Sequence, residues 1–149
     1  MAIEILKVEK LISSRLKNDA TLKSLMQVPN DQSIRLYASA APEGQVKDMW
    51  ITHDLVSAPD TNVMGGDHVM SRPTYIIKVC NADLGFQVCG DALNRIDFLL
   101  NKQEGEVVDG VYVGKFIRRN VVKSIDDEKG TRVYWVGMTY LIVSYEVNG

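Results

Sequence analysis

The sequence predicts an α+β fold: a mainly antiparallel four-stranded sheet with helices packed on one face, in the order α-β-β-α-β-β. Two segments, 3–16 and 86–100, repeat apolar residues at three- and four-residue steps, the mark of amphipathic helices. A pair of alternating strands follows each of them, at 48–57 with 74–81 and at 110–125 with 131–145. The last pair is separated by a short polar segment ending in glycine, which predicts a long C-terminal hairpin. Strand pairs joined by helices pack as a sheet with its helices segregated to one side.

In the first helix, Ile5, Val8, Ile12 and Leu16 form a stripe widened by Leu11, and Lys7, Lys10, Ser14 and Lys17 lie towards the other face. Asn18 or Asp19 caps a second short helical piece carrying Leu22, Leu25 and Met26, which Pro29 ends. A short extended piece around 34–37 leads into a loop with Pro42 and Gly44. The strand at 48–57 puts Met49, Ile51 and Leu55 on one side, with Trp50, Thr52, Asp54 and Val56 on the other. Residues 58–72, with Pro59 and the pair Gly65 and Gly66, have no sustained period. They read as a long loop or as a flexible hairpin whose arms extend the neighbouring strands.

The second main helix takes Asp83 as its cap, carries Phe86, Cys89, Leu93, Ile96 and Leu100 as its stripe, and has Gly105 as its stop signal. In the strand at 110–125, alternation puts Val111, Val113, Lys115, Ile117, Arg119, Val121 and Lys123 on one face. The turn is set at 126–130.

The closing strand is unusual. After Arg132 it has no charge until Glu146, and both of its faces are apolar. Val133, Trp135, Leu141 and Val143 are expected to pack on the helix of Phe86, Leu93 and Ile96. Tyr134, Val136, Met138 and Tyr140 are then left to meet a neighbouring subunit, because a strand apolar on both sides needs cover on both.

A chain of 149 residues predicts one domain, 1–149, with enough buried surface to fold without staples. The net charge of −2 argues against nucleic-acid binding driven by bulk charge. Cys80 and Cys89 are too few for a disulfide framework and read as free, buried thiols of a reducing compartment. Charges at Glu4, Lys7 and Glu9 interrupt any signal-peptide core, and the uncharged run at 133–145 is shorter than the about 20 residues of a membrane helix.

Local catalytic chemistry is thin. His53 and His68 each stand beside an aspartate, Asp54 and Asp67, but a metal site wants three or more ligands in a shaped pocket, so none is expected. No P-loop, dinucleotide fingerprint or C-x-x-C motif is present, and no cofactor is expected. Lys115, Arg118, Arg119 and Lys123 form the one basic cluster. Strict alternation places Lys115, Arg119 and Lys123 on one face with Arg118 pointing away. Such a cluster reads either as a charged edge strand or as a contact surface for an acidic protein or DNA phosphates.

The whole-chain layout resembles the tail-terminator, or tail-completion, proteins of tailed bacteriophages. The resemblance runs through an N-terminal helix of the L-x-x-x-L type, the passage R-L-Y-A-S-A-A-P-E-G at 35–44, and two strands around a variable loop. It continues through a helix of the F-x-x-x-x-x-x-L-x-x-I kind at 86–96 and a long closing hairpin whose strand reads G-M-T-Y-L-I-V at 137–143. It implies a structural virion protein with no catalysis. Such proteins form a hexameric ring at the head-proximal end of the tail, stop polymerisation of the tail tube, meet the head connector and let DNA pass through the lumen. It further implies assembly in the bacterial host cytoplasm. Tyr134, Val136, Met138, Tyr140, Arg118 and Arg119 are the expected interface residues. The alternatives are another head–tail or baseplate adaptor ring, and a small α+β enzyme or ligand-binding domain using His53 and His68.

Overall fold

The structure, a computed structural model, describes residues 2–38, 49–57, 60–62, 69–82, 84–101, 103–128 and 130–146. Among them the order is α1 (Ala2–Leu16), α2 (Ala20–Leu25), β1 (Leu36–Ala38), β2 (Met49–Ser57), β3 (Asp60–Asn62), β4 (Val69–Ser71), β5 (Thr74–Ala82), α3 (Phe86–Leu100), β6 (Glu106–Val108), β7 (Val111–Glu128) and β8 (Thr131–Glu146). The α+β class and the order of the long elements agree with the sequence. The sheet is larger than the four antiparallel strands expected: eight strands take part, and β1 runs parallel to β2. The four additional strands, β1, β3, β4 and β6, are three residues each. That is too short for a period of two to be visible in sequence.

β8 is the spine. β7 pairs with it along its whole length, and β5 lies along its other side from Val133 to Leu141. Beyond β5, the hairpin β3–β4 continues that side by pairing Met70 with Tyr145 and Ser71 with Ser144. The 58–72 segment is thus, in its described part, the hairpin alternative. β2 and β1 extend the sheet past β5, and β6 borders the start of β7.

The helices share one face, because their apolar stripes meet a single apolar layer. Val8, Leu11, Ile12 and Leu16 of α1 and Cys89, Ala92, Leu93, Ile96 and Leu100 of α3 join Ile51, Tyr75, Ile77 and Val79 in one core. α2 is capped by Asp19, whose Oδ2 accepts from the Leu22 amide at 2.9 Å. Arg95 of α3 donates to both oxygens of the same carboxylate at 2.9 Å, tying α2 to α3. These hydrogen bonds hold the Asp19 carboxyl below its usual range.

α3 starts differently from expectation. Its N-cap position is Gly85, at φ 91°, with no side-chain cap, and Asp83 lies outside the described residues. The organising side chain is Asn81, fully buried at the end of β5. Its Oδ1 accepts from Leu84 N at 2.9 Å and its Nδ2 donates to Gly85 O at 2.8 Å. The helix ends at Leu100, before Gly105. A Cβ at Gly105 would lie 2.7 Å from the Val113 carbonyl oxygen and overlap the Tyr112 ring, so that glycine permits a close backbone approach.

Candidate interaction surface on the long hairpin

Residues directly opposite in neighbouring strands point to the same side, so register assigns the faces of β8. Tyr75, Ile77 and Val79, all in the helix-side core, stand opposite Tyr140, Met138 and Val136. Tyr140 is fully buried and Met138 is 4% exposed, and Tyr134 meets the Phe86 ring edge-to-face at 5.2 Å between centroids. The two faces of β8 are therefore exchanged relative to the sequence expectation. Tyr134, Val136, Met138 and Tyr140 pack under α3, which removes the buried three from contact with a neighbour. Val133, Trp135, Leu141 and Val143 lie on the opposite face, which no described helix covers. The physical reason is that alternation defines two faces without saying which one a helix will land on.

On that opposite face, Trp50, Cys80 and Val133 are buried together with Tyr37 and Trp135 against them. Trp135 Nε1 donates to Asp126 at 3.0 Å, and the Lys78 ammonium sits 4.3 Å from its ring centroid.

β7 also departs from strict alternation. Its register against β8 slips twice, between Val113 and Phe116 and between Arg118 and Asn120. Each slip is a β-bulge that inserts a residue and resets the phase. Phe116, Arg118, Val121, Lys123 and Ile125 therefore stand opposite the helix-side residues Ile142, Tyr140, Met138, Val136 and Tyr134. Arg118 and Lys123 share a face, contrary to the expected grouping of Lys115, Arg119 and Lys123. Arg118 Nη1 donates to Asp97 at 3.0 Å, and the Tyr140 hydroxyl donates to the other oxygen of that carboxylate at 2.8 Å. Asp97 thus clamps α3 onto both strands of the hairpin. Lys115 pairs with Glu104 at 3.6 Å, and the Lys123 ammonium lies 5.0 Å from the Phe86 ring centroid. Arg119 is exposed and, among the described residues, makes no ion pair.

α3 covers β8 but not the distal part of β7. Val121 is 59% exposed and Ile125 47%, although their cross-strand partners are buried or half-buried; Ile117 and Val122 are exposed on the other face. Four of the nine large exposed apolar side chains among the described residues thus lie on this one strand segment. No other described strand pairs with its outer edge beyond Phe116, where Asn101 makes a single bridge and its Oδ1 accepts from Arg118 N. The strand runs on to Glu128, and Gly130 turns the chain at φ 83°, so Asp126 and Asp127 lie in the strand rather than in the expected turn.

The candidates for chemistry are not brought together. His53 is buried on the helix side of β2, opposite Ile77, and burial holds its pKa below the usual imidazole value. Asp54 points to the other side, opposite Ile76, and His68 lies outside the described residues. Among the described residues no group of three or more His, Cys, Asp or Glu could hold a metal ion. A shallow cleft of 630 Å³ lies at the far end of α3, lined by residues including Arg15, Phe98, Gln103 and Glu104, away from His53. Both thiols are free and buried; burial pushes Cys80 up to about 12 and also raises Cys89, whose Sγ accepts from Asn81 Nδ2 at 2.8 Å.

No protein-family model matches this chain, and no curated protein sequence does. Among solved structures, a chain from the virion of a native gene transfer agent particle superposes with a TM-score of 0.61 at 12% sequence identity, over 89% of this chain and 91% of that one. The likeness is one of fold, and it extends through nearly the whole length of both chains.

Proposed function

We propose that the protein is a structural component of a phage-like virion, forming a ring at the head-proximal end of the tail. There it terminates the tail tube and joins it to the head connector. The observation that carries this reading is the shared fold with a virion chain over about nine-tenths of both chains. The hairpin supports it, since a protein that works by assembly must keep apolar surface outside its own core. In this reading the subunits form a hexamer, the DNA passes through the lumen without being read, and the contact surface is the distal hairpin with Arg118 and Arg119. No cofactor or catalytic residue takes part.

Deletion of the gene from a producing strain tests the proposal. Negative-stain microscopy of the lysate should show tails of uncontrolled length detached from heads, and expression from a plasmid should restore particles. Normal particles in the deletion strain would refute any virion role. Loss of joining with tails of normal length would point instead to an adaptor ring.

A further inference from the structure

Residues 120–128 of β7 form an open edge, and its stretch before Asp126 carries few of the usual protections. Sheet edges are ordinarily blunted by bulges, proline or outward lysines, because an open row of amide and carbonyl groups templates pairing with another chain. Both bulges of β7 lie before Asn120, and no proline follows. The one lysine of the segment, Lys123, leans back over Phe86. The other described outer edges, those of β1, β3 and β6 and the end of β2 beyond its pairing with β1, are three or four residues long. Within the described protein, only β7 itself offers an edge as long as β7.

We infer that the free protein closes this edge with the same edge of a second copy, β7 running antiparallel to β7 about a two-fold axis normal to the sheet. Such an axis keeps each face on its own side, so residues that pair must share a face and the axis must pass beside a single residue. Near the centre of the segment the candidates are Val122, Lys123 and Ser124. A centre at Val122 sets Val121 against Lys123, and a centre at Ser124 sets Val121 against Asp127. A centre at Lys123 sets Val121 against Ile125 of the other copy, twice, and Asn120 against Asp126. It also brings Arg119, an exposed cation with no ion pair among the described residues, beside Asp127 of the other copy. The strand is polarised for this, basic at Lys115, Arg118 and Arg119 and acidic at Asp126 and Asp127, so antiparallel pairing lays opposite charges together at both ends. The two Lys123 side chains meet at the axis, but each ammonium is already turned towards its own Phe86.

The pairing concerns the unassembled protein and stands apart from the virion reading. A subunit that uses this edge in a larger assembly has to release its two-fold partner first, so the dimer also holds the edge shut until assembly.

Oxidative cross-linking of Lys123→Cys provides the test. Opposed Cα atoms in an antiparallel pair are about 4.5–5.5 Å apart, within disulfide range. The native thiols are buried, leaving Cys at 123 as the reactive one. Under mild oxidation Lys123→Cys should become mostly covalent dimer, while Asp91→Cys, exposed on α3, should not. Light scattering of the wild type at tens of micromolar should give twice the chain mass of 16.7 kDa. The double variant Val121→Lys, Ile125→Lys should give the chain mass with an unchanged circular dichroism spectrum. A wild-type monomer at that concentration overturns the inference. So does a ring-sized particle in which Lys123→Cys cross-links no better than Asp91→Cys. If the lysine variant misfolds, the cross-linking comparison on otherwise native protein still decides.

Discussion

Met138 and Val121 stand opposite each other on the same face of the hairpin, yet they should respond to the same substitution in opposite ways. Met138 is 4% exposed beneath α3, whereas Val121 is 59% exposed beyond the helix's reach. A glutamate at 138 puts a carboxylate into the core. Full burial raises a carboxyl pKa by up to about 3–5 units, to or above neutrality, so at pH 7 the group is taken up protonated at a cost of about 3–4 kcal/mol, about 1.4 kcal/mol for each unit between its unfolded value near 4.3 and pH 7. The lost burial of the methionine adds about 2 kcal/mol. The sum reaches the lower end of the whole stability of a small domain, about 5–15 kcal/mol. A glutamate at 121 stays in water and should shift stability by within about 1 kcal/mol. Urea unfolding followed by circular dichroism, at sub-micromolar protein so that association does not contribute, reads both. Met138→Glu should lose its cooperative transition at pH 7 and regain part of it in mild acid as the carboxyl protonates in the unfolded chain as well, and Val121→Glu should keep the wild-type midpoint. A Met138→Glu protein with the wild-type midpoint would refute the assignment of faces.

Tyr140→Phe removes one hydrogen bond to Asp97 while leaving Arg118 in place, and should cost about 1–2 kcal/mol in the same assay. Asp19→Ala removes the α2 cap together with the Arg95 pair, at about 1–2 kcal/mol. Because the Asp19 pKa is depressed in the fold, this contribution is present above the unfolded value near 3.8 and is lost as pH falls through the folded value. The Asp19→Ala difference should therefore shrink in acid, as checked by unfolding midpoints at pH 7 and pH 3. His53 behaves as a base kept neutral by burial. Its folded pKa lies below the ordinary imidazole value of 6.5, so the unfolded chain binds more protons as pH drops below that value, and stability falls across the window between the two pKa values. The midpoint should decline from pH 7.5 to pH 5, and His53→Leu should flatten that decline.

Sequence alone determined the class, the order of the long elements, both helical stripes and the C-terminal hairpin. These follow from local periodicity, which survives any tertiary arrangement because it records which residues of one element share a side. The stripe of α3 was legible almost residue by residue, from Cys89 through Leu93 and Ile96 to Leu100. Tertiary structure decided what local periodicity cannot encode. β8 is apolar on both faces, so alternation offered no preference between Tyr134, Val136, Met138 and Tyr140 on one side and Val133, Trp135, Leu141 and Val143 on the other. The landing of α3 made the choice. In β7 two bulges reset the phase, so counting by twos misplaced Ile117 and Arg118, while the second bulge returned Val121 and Lys123 to the face of Val111 and Val113. Gly114, where a Cβ would lie 2.9 Å from the Val143 carbonyl oxygen, marks the first bulge in the sequence, and Arg119 gives no sign of the second. The exposure of Val121 and Ile125 on one face of β7 and of Val122 on the other was hidden for a related reason. In sequence those residues look like any core strand, and only the length of the sheet relative to its helices shows that nothing in the described chain covers them.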